Sequence, residues 1–288
     1  MDLPIQLAGL KQNFKGEITT SEADIEHYSK DASIFQIAPQ AIVFPNDVRD
    51  VQELVKFVAA HKPAYPTLSI TPRGGGTDMT GGSINDSIII DTTRHLNNIS
   101  DLTNESVSTQ SGVMFRDLEV KLAAQNRMMP AYPVSKAWVA VGGMVGNNSG
   151  GEKTFKYGQV KNFVEELEVV LGDGNVYTIK PLNETELQQK LALQNFEGNF
   201  YREIHSLIID NYRLLQEAKP TTSKNSSGYF LWDVWENFRL NSTVRRLTRN
   251  TRNYYKNQMA PCSCAQTHSP LGVFPKRFKT AWPNCNSR

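Results

Sequence analysis

Pro72-Arg73-Gly74-Gly75-Gly76-Thr77-Asp78-Met79-Thr80-Gly81-Gly82 is the stretch on which the fold turns. Five glycines fall within residues 74–82, between two β-like runs, Leu68–Thr71 and Ser87–Asp91. Glycines in series admit positive φ and let consecutive N–H groups face the same way. Such a run makes a nest for an anion, typically a phosphate or pyrophosphate. A flexible turn is the competing reading of a lone cluster, but this cluster has a companion.

The companion lies about sixty residues on. It reads Pro133-Val134-Ser135, then Gly142-Gly143-Met144-Val145-Gly146-Asn147-Asn148-Ser149-Gly150-Gly151, then Tyr157-Gly158. Asn and Ser among the glycines can both donate to and accept from a polar ligand. Two such loops, each flanked by strand-like segments, suggest the two ends of one long ligand. They do not match the dinucleotide fingerprint, because no G-x-G-x-x-G opens a helix after a strand. Gly172-Asp173-Gly174 reads as a hairpin turn between Glu166–Leu171 and Asn175–Ile179.

Further out, helices and strands alternate. Ser21 to Tyr28 reads as a short helix with Ser21 as cap and Asp24 three residues later. Ala41–Phe44 is a strand stopped by Pro45, and Asp47 caps a helix carrying Val48, Val51, Leu54, Val55 and Val58 at helical spacing. Val113 to Asn126 is a second helix. Asn183 opens a third, with Glu186 as capping partner, and a longer helix is expected over Phe200–Glu217.

Taken together, Pro39 to Ile179 resembles the flavin-binding domain of the FAD-linked oxidases, the PCMH-type or vanillyl-alcohol-oxidase-like family, near its glycolate oxidase and D-lactate dehydrogenase branch. The residues that carry the resemblance are Pro39–Pro45 with Asp47-Val48, the Arg73–Gly82 loop, Gly142 to Gly158, and Lys224-Asn225-Ser226-Ser227-Gly228-Tyr229. The resemblance implies an α+β fold, a PCMH-type FAD-binding domain of two α/β subdomains. Residues 1–35 would be a lead-in and 36–237 the FAD-binding domain, incomplete at its C-terminus. It implies FAD on Arg73, Gly74, Gly75, Gly76, Thr77, Asp78, Gly81 and Gly82 around the pyrophosphate. Pro133, Ser135, Gly142, Gly143, Asn147, Asn148, Gly150, Gly151, Tyr157 and Gly158 would lie along the flavin and ribityl parts. Thr77 stands where some members carry the His that links flavin covalently, so non-covalent FAD is expected. Arg73 is read as an anchor of its loop and Asp78 as structural or a cofactor contact.

Composition bounds the rest. A chain of 288 residues can bury a sizeable core. No apolar run reaches the roughly 18 residues of a membrane helix, and residues 1–11 lack the pattern of a secretory signal, so a cytoplasmic protein is expected. Resemblance to the lactate dehydrogenases leaves room for attachment at the inner face of the membrane or for an electron-acceptor partner, though no residue signals either. The net charge of +2 conceals a break: residues 238–288 hold ten of the 31 Lys and Arg and none of the 29 Asp and Glu, which leaves the first 237 at −8. All three cysteines lie there as well.

Three readings of this tail compete. It could bind nucleic acid; Cys262, Cys264, His268 and Cys285 could hold zinc, at no standard spacing; or it is read out of frame. The genetic code favours the third, and neither nucleic acid nor metal is expected. With codons built from the last two bases of one codon and the first of the next, Arg246–Lys256 can spell Gly-Ser-Gln-Gly-Thr-Leu-Gly-Ile-Ile-Thr. That is the family's next flavin-contacting motif, in its expected place. Phe238–Arg246 can likewise spell Phe-Asp-Leu-Thr-Gln-Leu-Phe-Val. The reading places a frameshift near Trp235–Phe238 and leaves 238–288 as a basic tail without a predicted fold.

The family's substrates are small 2-hydroxy acids, and its substrate groups come largely from a C-terminal cap domain, absent here. His27, His61, His95, His205 and His268 are scattered, and no catalytic residue is assigned. The expectation is therefore an FAD-dependent 2-hydroxy-acid oxidoreductase domain, truncated, which would meet its substrate only in a full-length form. The alternatives are a UDP-N-acetylenolpyruvoylglucosamine reductase-like flavoprotein, or a non-catalytic protein with a nucleic-acid-binding tail.

Overall fold

Four strands form the first sheet: β1 (Glu17–Thr19), β2 (Ala41–Phe44), β3 (Ile70–Arg73) and β4 (Ile88–Asp91), in the order β1-β2-β4-β3. They belong to a computed structural model that describes residues 7, 9–103, 105–222, 231–234 and 273–279. β4 is parallel to both β2 and β3, and β1 is antiparallel to β2. Side chains alternate across a strand, and here both faces are covered. Ala41, Val43, Ile88 and Ile90 face a core shared with Val51, Leu54, Val55 and Val58 of α2 (Val48–His61). Ile42, Phe44 and Ile89 face Tyr28 of α1 (Glu22–Tyr28). That is why β2 and β4 read as unbroken apolar runs.

The caps lie where the sequence puts them. Ser21 accepts from Asp24 N, Asp47 accepts from Arg49 N and Asp50 N, and Asn183 with Glu186 forms a complete capping box. Asp50 is buried, and its carboxylate accepts the backbone N–H of Lys15 and of Asn46, each at 2.8 Å. The segment before α1 is thereby tied to the first sheet.

The second sheet has the order β5-β6-β9-β7-β8, from β5 (Ile99–Ser100), β6 (Ser106–Thr109), β7 (Val164–Val170), β8 (Val176–Ile179) and β9 (Val273–Lys279). β7 and β8 form the antiparallel hairpin expected around Gly172–Gly174. A larger core lies between this sheet and α3 (Phe115–Ala123), α6 (Glu184–Ala192) and α7 (Phe196–Asp210), with Leu118, Leu122, Leu167, Leu187, Ile204 and Ile208 at its centre. Val234 is buried in the same core. No helix among the described residues is long and apolar enough to cross a membrane.

The structure corrects three expectations. The helix expected over Val113–Asn126 is shorter, because Met114 is extended and bridges Ala140, while Asn126 adopts φ 54°. The helix expected over Phe200–Glu217 starts at Phe196, capped by Asn195, and breaks at Asn211 before α8 (Tyr212–Glu217). The second glycine stretch is not a loop between strands: Val141–Gly146 is a short helix, α4, and Thr154–Tyr157 is another, α5. Residues 273–279 form β9, which pairs antiparallel with both β6 and β7. Those two strands do not pair with each other, so their facing edges leave a slot that one strand completes. Lys224–Tyr229, Trp235–Phe238, and the cysteines and His268 lie outside the described residues.

Candidate flavin site

The connection from β3 to β4 is the glycine loop itself. Parallel neighbours need a crossover of a dozen or more residues, usually a helix. Here residues 74–87 cross without one, leaving from the carboxyl end of β3. The carboxyl ends of parallel strands are where open α/β sheets place ligands. Among the described residues, the backbone N–H groups of Gly74, Gly75, Gly76, Thr77, Asp78 and Met79 donate to no protein acceptor. The loop is open to solvent, with Gly75 and Met79 exposed, so these donors are free to meet a ligand rich in acceptor oxygens.

The glycines are demanded by packing. A Cβ on Gly75 would overlap the carbonyl oxygen of Trp138, and one on Gly74 would lie 2.7 Å from the Cβ of Ala140. Gly76 sits at φ 64°, where a side chain is strained. Asp78 turns inward: its Oδ1 accepts from the N and the Oγ1 of Thr80, each at 2.7 Å, and its other oxygen fills the space a Cβ on Gly82 would need. Gly81 has φ 76° and packs beside Phe35. Arg73 is buried, folds under Gly76, and donates from NH1 to the carbonyl of Tyr28 at 3.2 Å. Its part as loop anchor is visible in these contacts.

The packing of Gly74 and Gly75 on Trp138–Ala140 brings the two glycine stretches together, because α4 begins at the next residue. Gly142 N donates to Ser111 O at 2.8 Å, and a Cβ there would meet Ser111 Cβ at 2.7 Å. Ser111 Oγ is buried beside it without a protein partner. Cβ atoms on Gly143 and Gly146 would meet nothing within 4 Å. Gly151 backs onto the carbonyl of Tyr132 and onto Pro133, and Gly150 onto Thr154. Asn147 is exposed. Ser135 accepts from Trp138 N and Val139 N through its carbonyl, shaping the turn between Pro133 and α4. Gly158, at φ 78°, ends α5 after the half-buried Tyr157.

Asn148 stands apart from the others. Its Nδ2 donates to Gln159 at 3.2 Å and its Oδ1 accepts Lys161 N at 3.0 Å. The side chain is committed to the protein and fixes the turn after α4. Exposed apolar side chains border the loops: Met79, Val134, Trp138 and Phe155. Tyr28, Asp31, Ala32 and Asp91, which the sequence did not single out, support the first loop from beneath. Their signal was faint, because they sit in α1, the segment after it and β4 rather than among the glycines.

Beside Gly76, the side chains of Glu26, His27, Lys30, Asp31 and Arg73 line a pocket with Ala32. His61 Nδ1 contacts Phe57 O at 2.8 Å within α2, and His95 pairs with Glu17 on the far edge of the first sheet. The Glu17 carboxyl is held below its usual range first by the His95 hydrogen bond and then by Arg94. Among the described residues no group of His, Cys, Asp and Glu could hold a metal ion.

The geometry defines a class: a two-sheet α+β domain whose two glycine stretches pack together at the carboxyl end of a parallel strand. The comparisons agree with it. Residues 39–180 match the family described as FAD binding domain, and this part of the chain belongs to the FAD-linked oxidases of PCMH type. Relatives include D-2-hydroxyglutarate dehydrogenase of Haemophilus influenzae, 31% identical over 231 residues, covering 78% of this chain and 22% of the relative. The glycolate oxidase subunit of Bacillus subtilis is 29% identical, covering 52% and 32%. D-lactate dehydrogenase of Archaeoglobus fulgidus is 29% identical, covering 50% and 32%. The chain thus spans about a fifth to a third of these proteins. Among solved structures, an alkyldihydroxyacetonephosphate synthase superposes with TM-score 0.54 at 22% identity over 62% of this chain and 36% of its own. A chitooligosaccharide oxidase superposes with TM-score 0.53 at 19% identity over 66% and 39%. These two share the fold.

Proposed function

We propose that the chain is the FAD-binding portion of an oxidoreductase that acts on the CH–OH group of a small 2-hydroxy acid. The observation that carries the reading is the run of unpaired N–H donors from Gly74 to Met79, inside a domain of the FAD-linked oxidase family. Bound FAD would supply the oxidant, taking up the hydride from the substrate's α-carbon. The chain's own part is binding and orientation. Gly74 to Asp78 would hold the pyrophosphate through backbone N–H groups, Arg73 and Asp78 hold that loop in shape, and Gly142, Gly143 and Gly151 would let the second stretch approach the cofactor. Thr77 cannot form a histidyl linkage, so the flavin is held non-covalently.

The relatives name D-2-hydroxyglutarate, glycolate and D-lactate, which share a carboxylate beside a secondary or primary hydroxyl. Such a substrate needs a cationic clamp and a base, and no residue of the two glycine stretches is assigned to either part. We assign those groups to sequence beyond this domain.

We also favour a shifted frame after about residue 237. Two observations support it: the charge break and the family motif legible in the alternative frame. A frame-restored protein should retain FAD through gel filtration, release it on heat or acid denaturation, and reduce an artificial acceptor with one of the three hydroxy acids. The 288-residue chain should show no turnover. Genomic sequence without an alternative frame, or robust hydroxy-acid oxidation by the short chain, would overturn the frame reading. A restored protein that binds no flavin would overturn the function.

A further inference from the structure

Three contacts reach the glycine loop from beneath, one at each part of it. At its start, Arg73 is 8% exposed, and its guanidinium lies 5.0 Å from the centre of the Tyr28 ring while NH1 donates to the Tyr28 carbonyl. At its apex, Gly76 O accepts the N–H of Ala32 at 3.0 Å, and Arg73 NH2 lies 2.7 Å from the place a Cβ on Gly76 would occupy. At its end, Ser83 Oγ donates to Asp31 Oδ2 at 3.0 Å. Behind them, Tyr28 OH donates to Asp91 Oδ2 at 2.7 Å, and Asp91 Oδ1 accepts from Thr93 N and Oγ1, each at 2.6 Å. Asp91 is also the direct β4 neighbour of Arg73 in the parallel register.

These contacts form one unit with one charge logic. Burial pushes the Arg73 guanidinium down, and Tyr28, Asp31 and Asp91 offset that. Burial, then Asp91, hold the Tyr28 phenol well above its ordinary value, so it stays a donor. A buried cation of this kind persists only when its partners are in place. Here the partners come from α1, the segment after it and β4, while the cation carries the loop. Tyr28 and Asp91 contribute nothing to the loop's outer face.

We propose that Tyr28, Asp31 and Asp91 are positioning residues for the anion cradle: by fixing Arg73 beneath Gly76 and tying down Ser83, they set the backbone of Gly74–Asp78 in binding geometry before a ligand arrives. The proposal rests on the FAD reading above. Its physical content is preorganisation, since a loop already ordered loses less freedom on binding. A flexible five-glycine loop without this brace would bear that cost in full.

The test is the affinity for ADP and for FAD, measured by calorimetry on the frame-restored protein and its variants well below their melting transitions. Tyr28→Phe keeps the ring under the guanidinium and removes only the donor to Asp91. Arg73→Lys keeps the charge and loses the planar fork. Each should weaken ADP and FAD by the same factor, about tenfold, as expected for a hydrogen bond involving a charged group. Asp91→Ala should be non-additive with Tyr28→Phe, because both act through one hydrogen bond. Leu187→Ala, in the distant second core, lowers the melting temperature without touching the loop and should leave ADP affinity unchanged. If the variants bind ADP and FAD as the parent does, the brace is refuted and the flavin reading stands. A parent that binds neither ligand refutes both. If Leu187→Ala loses affinity in step with its loss of stability, the effect is general softening and the brace is refuted.

Discussion

Gly75 is the residue on which the cofactor reading is most exposed to test. The carbonyl of Trp138 occupies the space any side chain would need, so Gly75→Val must move either the loop or the turn before α4. Either movement displaces the backbone N–H groups of Gly74–Met79 from their present positions. We expect flavin retention, read as bound-flavin absorbance after gel filtration, to fall below detection while the circular dichroism of the domain is kept. Retention equal to the parent would mean that this loop does not touch the cofactor. Tyrosines carry a second expectation at this scale. Burial holds the phenols of Tyr28, Tyr177 and Tyr201 above their ordinary value of 10, and burial followed by the Glu152 hydrogen bond pushes Tyr132 up to about 12. A raised folded value means the neutral form is favoured by folding. The stability it brings is complete below pH 10 and is lost as pH climbs toward 12 and beyond. Phenolate absorbance should therefore rise in two phases, exposed tyrosines first and these four together with unfolding. A single smooth titration, with the fold intact, would contradict the burial.

At the scale of elements, the capping box of α6 is a clean probe. Asn183 Oδ1 accepts Glu186 N at 2.9 Å, and the Glu186 carboxylate accepts Asn183 N at 2.9 Å. Asn183→Ala should cost about 1 kcal/mol of stability, read as a lower urea midpoint with an unchanged slope. No loss would show that the cap is dispensable because Leu187 packing alone holds the helix. Caps of this kind were legible in the sequence, as were Ser21 and Asp47, because a cap is a local event within four residues. The start of α3 and the break at Asn211 were not legible. Apolar spacing continues through both places, and what bounds the helices is the bridge of Met114 to Ala140 and the backbone of Asn211 at φ −114° and ψ 16°.

For the molecule as a whole, β9 is the decisive element. It separates β6 from β7, and without it two strand edges would face each other unpaired. Unpaired edges are templates for association between chains. Deleting residues 270–288 should therefore raise light scattering on mild heating and lower the melting temperature. A deletion variant as stable and monomeric as the parent would show that the second sheet does not depend on this strand.

The sequence by itself determined the glycine loop, the strands either side of it, the caps of α1, α2 and α6, the hairpin at Gly172–Gly174 and the membership in a flavin-binding family. Each of these depends on residue types at short fixed spacing, where backbone freedom, capping and alternation act over a few residues. Only the tertiary structure decided that the two glycine stretches meet, through Gly74 and Gly75 on Trp138–Ala140. It alone showed that Asn148 bonds Gln159 and the backbone of Lys161, and it alone gathered Tyr28, Asp31 and Asp91 beneath Arg73. Those contacts join residues far apart along the chain, 63 apart for Tyr28 and Asp91. No local pattern encodes such a contact, because it forms only when β4 and α1 are packed against the same strand.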